Sequence, residues 1–182
     1  MRPEVTSQPQ KTAKTLSRRH AIVLGAAALC TASFGAPVMA QQASTPDTAP
    51  FYQITATEAH DQALAGEIIL VDVRTPEEWA ETGIGEGAIA LDMRTDQFVP
   101  ALVALRKANP DTPIAMICRT GNRSQFVVSA LAGQGFPGLV DVSEGMVGGP
   151  RGKGWIPTGL PTYAGTPENV SARLAETMPT GE

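Results

Sequence analysis

Histidine and cysteine are scarce in this sequence, with two of each among 182 residues. They stand far apart, so no Cys/His cluster could hold a metal, and neither a metal nor another cofactor is expected. No apolar run reaches the roughly 18 residues of an ordinary transmembrane helix, which argues against one. Basic residues are outnumbered, 14 Lys and Arg against 18 Asp and Glu, and that balance suits neither nucleic acid nor anionic membranes. Internal repeats are also missing. What remains, at 42% hydrophobic residues, fits a soluble globular chain of one domain with a modest core.

The first 40 residues have a different character. Lys11, Lys14, Arg18 and Arg19 make a basic start, Ala21 to Leu29 a short apolar stretch, and Val38-Met39-Ala40 a cleavage site near the A-x-A type. This pattern predicts an export signal over residues 1–40 and a bacterial periplasmic location without a stable membrane anchor. Ser17-Arg18-Arg19-His20-Ala21-Ile22 resembles a twin-arginine signal, although Ala21 stands where an aromatic residue or leucine is usual, which keeps the general secretory route open. Cys30 lacks the flanking residues of a lipoprotein anchor and reads as part of the signal. Cleavage after Ala40 removes five basic residues and one acidic one, leaving nine against 17 and a formal net charge of −8. It also leaves Cys118 as the sole cysteine and His60 as the sole histidine. No internal disulfide is then possible, and a lone thiol in an oxidising compartment is either buried or chemically employed.

Residues 41–53 read as a flexible lead-in. Thr55-Ala56-Thr57-Glu58 fits a capping box, opening a helix that Gly66 ends. The nearly continuous apolar run Ile68 to Val73 predicts a strand covered on both faces, and Thr75-Pro76-Glu77-Glu78 a second helix start. Asp72 and Arg74 read as an ion pair bracing neighbouring loops. Residues 88–91 predict a short strand, and 96–108 a helix in which Pro100 marks either the first turn or an early kink, stopping at about Ala108 before Asn109-Pro110. Residues 114–117 and 139–142 predict two more strands, with a helix over 124–132 between them and another from Thr166 to about Thr177. Strands alternating with helices predict an α/β fold, a mostly parallel sheet of about five strands with helices on both faces.

The stretch Cys118-Arg119-Thr120-Gly121-Asn122-Arg123-Ser124 falls where a strand ends and a helix begins. Backbone N–H groups of such a turn point inward, the helix N-terminus adds partial positive charge, and Arg119 and Arg123 add two full charges. Together they favour an anionic, nucleophilic sulfur in an anion-binding cradle. Ligands of parallel sheets bind beyond the carboxyl ends of the strands, which is where Cys118 falls.

That stretch resembles the active-site loop of rhodaneses, the thiosulfate sulfurtransferases, and Leu70 to Trp79 resembles a segment found early in rhodanese domains. The resemblance spans residues 54–162, leaving 163–182 as a tail with a short helix. The histidine and proline that rhodaneses usually carry in the turn at 83–87 are absent, whereas Gly148-Gly149, Trp155 and Gly159-Leu160-Pro161 match the family. The resemblance implies Cys118 as nucleophile, with Arg119, Thr120, Gly121, Asn122, Arg123 and Ser124 binding the substrate. Arg123 has a competing reading as a structural clamp. Arg151 and Lys153, in a glycine-rich segment, read equally as a mobile flap or a solvated loop. Thiosulfate or another sulfane-sulfur donor, and cyanide or a thiol as acceptor, are the implied partners. Four residues separate Cys118 from Arg123, against five in cysteine phosphatases, so sulfur transfer is preferred over phosphatase or arsenate reductase chemistry. A non-catalytic sulfur carrier or sensor is the alternative, since the same loop would serve both.

Overall fold

The computed structural model describes residues 51–178, and the expected export signal lies outside them. The chain runs β1 (Tyr52–Ile54), α1 (Ala56–Leu64), β2 (Ile69–Asp72), α2 (Pro76–Thr82), β3 (Ile84–Gly85), β4 (Ala88–Ala90) and α3 (Phe98–Ala108). It continues through β5 (Ile114–Ile117), α4 (Asn122–Ala132), β6 (Leu139–Val142), α5 (Trp155–Thr158), β7 (Thr162–Tyr163) and α6 (Pro167–Thr177). Five strands form one sheet in the order β1-β6-β5-β2-β4, parallel throughout, while β3 and β7 pair antiparallel beside it. The expected α/β architecture is therefore present.

Alternation along the central strands divides the core in two, because successive side chains of a strand leave the sheet on opposite faces. Leu70, Ala115, Ile117 and Val140 pack with α1, Trp79 of α2 and Trp155 of α5. Val71, Ile114, Met116 and Leu139 pack with Phe98, Leu102 and Leu105 of α3 and Val127, Val128 and Leu131 of α4. Both faces are covered, which accounts for the apolar character of β5 and of β2 and β6 apart from Asp72 and Asp141.

Local chemistry sets the helix starts. Thr55 and Thr75 each accept the N–H of the glutamate three residues on, and each glutamate returns the bond, so α1 and α2 carry complete capping boxes. α3 begins at Phe98 rather than 96 and has no side-chain cap, and it stops at Ala108 as the Asn109-Pro110 pair requires.

One boundary differs from expectation. Tyr52 and Gln53, assigned to the lead-in 41–53, form β1 and pair with Val140 and Asp141 of β6. Three residues are too few to show a period in sequence, and this strand is held by its neighbour rather than by its own propensity.

Candidate active site

β5 is buried along its whole length and ends by delivering Cys118, itself fully buried, to the carboxyl edge of the sheet. The chain then turns through Gly121, whose φ of 82° is left-handed, and enters α4 at Asn122. A side chain on Gly121 would strike the Ser143 carbonyl and an Arg151 nitrogen, so both conformation and space call for glycine. Gly145 lies against the same loop: a Cβ there would come 2.7 Å from the Arg119 carbonyl oxygen and the Gly121 nitrogen.

The carbonyls of the turn face outward into that contact. Met146 N–H donates to Cys118 O at 2.8 Å and Val147 N–H to Arg119 O at 2.9 Å. With its carbonyls occupied there, the turn directs Gly121 N–H to Cys118 Sγ at 3.1 Å. Ser124 Oγ, buried in the first turn of α4, lies 3.5 Å from the same sulfur.

The other loop residues divide by role. Arg123 gives Nη1 and Nη2 to the two oxygens of Glu78, at 2.7 and 2.5 Å. Those bonds, followed by the Thr75 N–H, hold the Glu78 carboxyl below its ordinary range, while Glu78 in turn raises the guanidinium of Arg123. Arg119 projects with its side chain 46% exposed, its Nη1 3.6 Å from Glu81 and 4.0 Å from Glu78, distances at which screened charges attract weakly. Thr120 faces Gly149. Exposed Asn122 accepts from Arg151 Nη2 at 3.2 Å.

The two residues of the glycine-rich segment therefore differ. Arg151 reaches under the loop to Asn122 and, through Nη1 at 3.4 Å, to Asp141, whereas Lys153 is exposed. A Gly149–Gly152 bridge closes the turn between them. The larger surface hollows, of about 380, 420 and 450 Å³, are lined by none of residues 118–124. The site is a tight cradle around one sulfur rather than an open cleft. Among the described residues no group of three or more His, Cys, Asp or Glu could hold a metal, and His60 lies edge-on to Trp155 at 5.5 Å, on α1.

Residues 55–149 match the Rhodanese-like domain family. The chain belongs to that family. The rhodanese-like domain is 31% identical over 115 residues to an uncharacterized protein of Rickettsia prowazekii, covering 59% of this chain and 94% of the relative. It is 33% identical over 86 residues to the thiosulfate sulfurtransferase GlpE of Pseudomonas syringae pv. syringae, covering 40% of this chain and 81% of GlpE. A rhodanese-like domain protein from Staphylococcus aureus, solved by crystallography, shares 29% identity over 62% of this chain and 99% of its own, with a TM-score of 0.45.

Two buried carboxylates flank the rhodanese-like loop from the neighbouring strands. Asp72 ends β2 and Asp141 lies on β6, either side of β5, and both are fully buried. Asp72 takes three side-chain bonds from Arg74 at 2.7 to 3.0 Å, the brace expected of the pair. Arg74 carries that brace into α2, donating to Thr82 Oγ1 at 2.7 Å and to Gly83 O at 2.6 Å. Asp141 and Glu78 escaped the reading of the sequence as parts of the site. A signal for Asp141 was available, since Leu70-Val71-Asp72-Val73 and Leu139-Val140-Asp141-Val142 are the same tetrapeptide, and an aspartate in a strand buried on both faces must have a partner.

Proposed function

We propose that this rhodanese-like domain is a sulfurtransferase that carries sulfane sulfur on Cys118, with thiosulfate as donor and cyanide or a thiol as acceptor. The observation that carries the reading is Cys118 Sγ at the centre of a short turn, receiving the Gly121 N–H at 3.1 Å with Ser124 behind it. Donors fixed around a sulfur stabilise negative charge on it before and after it gains a second sulfur. The 33% identity to a thiosulfate sulfurtransferase supports the choice of donor.

In the first step the Cys118 thiolate attacks the outer sulfur of thiosulfate. The new S–S bond forms as the old one breaks, and sulfite leaves with the bonding pair. Arg119, exposed at the rim, meets the sulfonate. Arg123, paired to Glu78, holds the loop and lends only a partly neutralised charge, so it clamps more than it binds. In the second step cyanide attacks the outer sulfur of the persulfide, thiocyanate departs, and the thiolate returns.

Mass spectrometry of the intact chain tests this. Thiosulfate should add one sulfur to Cys118, cyanide should remove it, and Cys118→Ser should take none. An unmodified Cys118 would eliminate thiosulfate as donor, and release of sulfur without repeated turnover would favour the carrier or sensor. The basic, then apolar, then small-residue pattern of residues 1–40 supports a further proposal, export to a bacterial periplasm. Cell fractionation checks it.

A further inference from the structure

Cys118 has no histidine beside it to act as base, since His60 is the one histidine among the described residues and it packs on Trp155. A different acceptor lies within reach. Ser124 Oγ stands between Cys118 Sγ, at 3.5 Å, and Asp141 Oδ1, at 2.7 Å. A serine hydroxyl has one proton and two acceptor lone pairs. It can also reach the Gly121 carbonyl at 3.1 Å, but the shortest of its three contacts is to the carboxylate. With its proton directed there, Oγ turns a lone pair toward the sulfur and can accept from an S–H.

Asp141 is built into this position from three elements. Gln53 of β1 gives Nε2 to Oδ2 at 3.1 Å, Arg151 gives Nη1 to the same oxygen at 3.4 Å, and Ser124 of α4 occupies Oδ1. Arg151 is the charged group in contact with it; Arg123, which also acts on Cys118, is committed to Glu78.

We propose that Asp141 is a positioning residue that draws the thiol proton of Cys118 through Ser124 and holds it while the sulfur reacts. The proposal rests on Cys118 being the nucleophile. The S–H bond of Cys118 breaks as an O–H bond forms on Ser124, and the former Ser124 O–H bond breaks as one forms on Asp141. The electron pair of the S–H bond stays on sulfur, the site's net charge is unchanged, and no further reactant is consumed. Burial raises the Asp141 carboxyl above its ordinary range, an effect larger than the opposing contributions of Ser124, Arg151 and Gln53. A carboxylate so placed is a better resting place for a proton than one in water.

The test is the rate of Cys118 alkylation by iodoacetamide as a function of pH, followed by intact mass on the full chain. Asp141→Asn and Ser124→Ala should each move the profile to higher pH and slow the reaction at pH 7 by at least roughly tenfold. Ser124→Thr, which keeps the hydroxyl, should restore it. Ser124→Ala leaves Asp141 with Gln53 and Arg151, so it serves even where Asp141→Asn does not fold. A Ser124→Ala profile that superposes on the wild type overturns the relay. Alkylation needs no sulfur donor, so the two readings fail separately. Shifted profiles in a protein that takes no sulfur from thiosulfate overturn the donor alone, and unshifted profiles with normal sulfur uptake overturn the relay alone.

Discussion

Arg123 on the first turn of α4 places both of its terminal nitrogens on the two carboxylate oxygens of Glu78, which is also the third residue of α2 and the return half of its capping box. One carboxylate thus starts one helix and fixes the entrance of another beside the Cys118 sulfur. Glu78→Gln keeps an acceptor for the Thr75 N–H but removes the charge that occupies Arg123. Stability should fall by about 1–2 kcal/mol, and the KM for thiosulfate should fall too as Arg123 is released to the anion. The stability difference should depend on pH in one direction. Because the folded-state value of Glu78 is lowered from 4.5, its contribution is complete above the unfolded value and is lost as pH falls through the folded one. Urea unfolding of the two proteins at pH 7 and pH 3 checks both the size and the sign.

Arg74 is 1% exposed and Asp72 not at all, so this pair has no water to fall back on. Removing one partner strands the other, and Arg74→Met should cost about 3–5 kcal/mol. It also releases the Thr82 and Gly83 bonds that tie β2 to the end of α2. The double variant Arg74→Met with Asp72→Asn should recover part of the loss, because no charge is then left buried alone. Denaturant midpoints of the three proteins measure this.

What could be read from the sequence follows the range over which each signal acts. Thr55 and Thr75 declare their helices because the capping box is complete within four residues. Cys118 declares its loop because glycine and two arginines lie within five positions of it. Glu78 and Asp141 could not be placed in this way. Glu78 meets Arg123 across 45 positions, and Gln53 meets Asp141 across 88, so both contacts exist only once the parallel strands are in order. Tyr52 and Gln53 were missed for the same reason, since β1 has no pattern of its own and depends on β6. In this protein the turn around Cys118 is encoded locally and its supports are encoded by topology.

Tyr163 on β7 donates its hydroxyl to the Ala88 carbonyl at 2.7 Å, joining the small sheet to β4, while Arg173 lies over its ring at 4.9 Å. Burial pushes its phenol up to about 12, against the smaller opposing pull of Arg173. An absorbance titration should show a phenol ionising only at about pH 12, a feature that Tyr163→Phe removes. Since the folded-state value is the higher one, the contribution to stability is full below about pH 10 and is lost as pH rises toward 12. A phenol titrating normally in the folded protein would contradict the buried hydroxyl.

Gly121 and Gly135 offer a matched pair of substitutions. Both have left-handed backbones, with φ of 82° and 81°, but a Cβ at Gly135 meets nothing within 4 Å, while at Gly121 it meets the Ser143 carbonyl and Arg151. Gly135→Ala should therefore cost only the backbone strain, about 1–2 kcal/mol, and leave sulfur uptake at Cys118 unchanged. Gly121→Ala carries that strain and a collision with backbone as well. The turn must rotate away from Ser143, and the N–H that meets Cys118 Sγ rotates with it. Loss of one well-aimed donor of this kind slows reactions by on the order of 100-fold. Sulfur loading by thiosulfate should fall by that factor in Gly121→Ala, in protein whose circular dichroism still shows the folded sheet and helices. Equal loading rates in the two variants would mean that the Gly121 amide does not act on the sulfur.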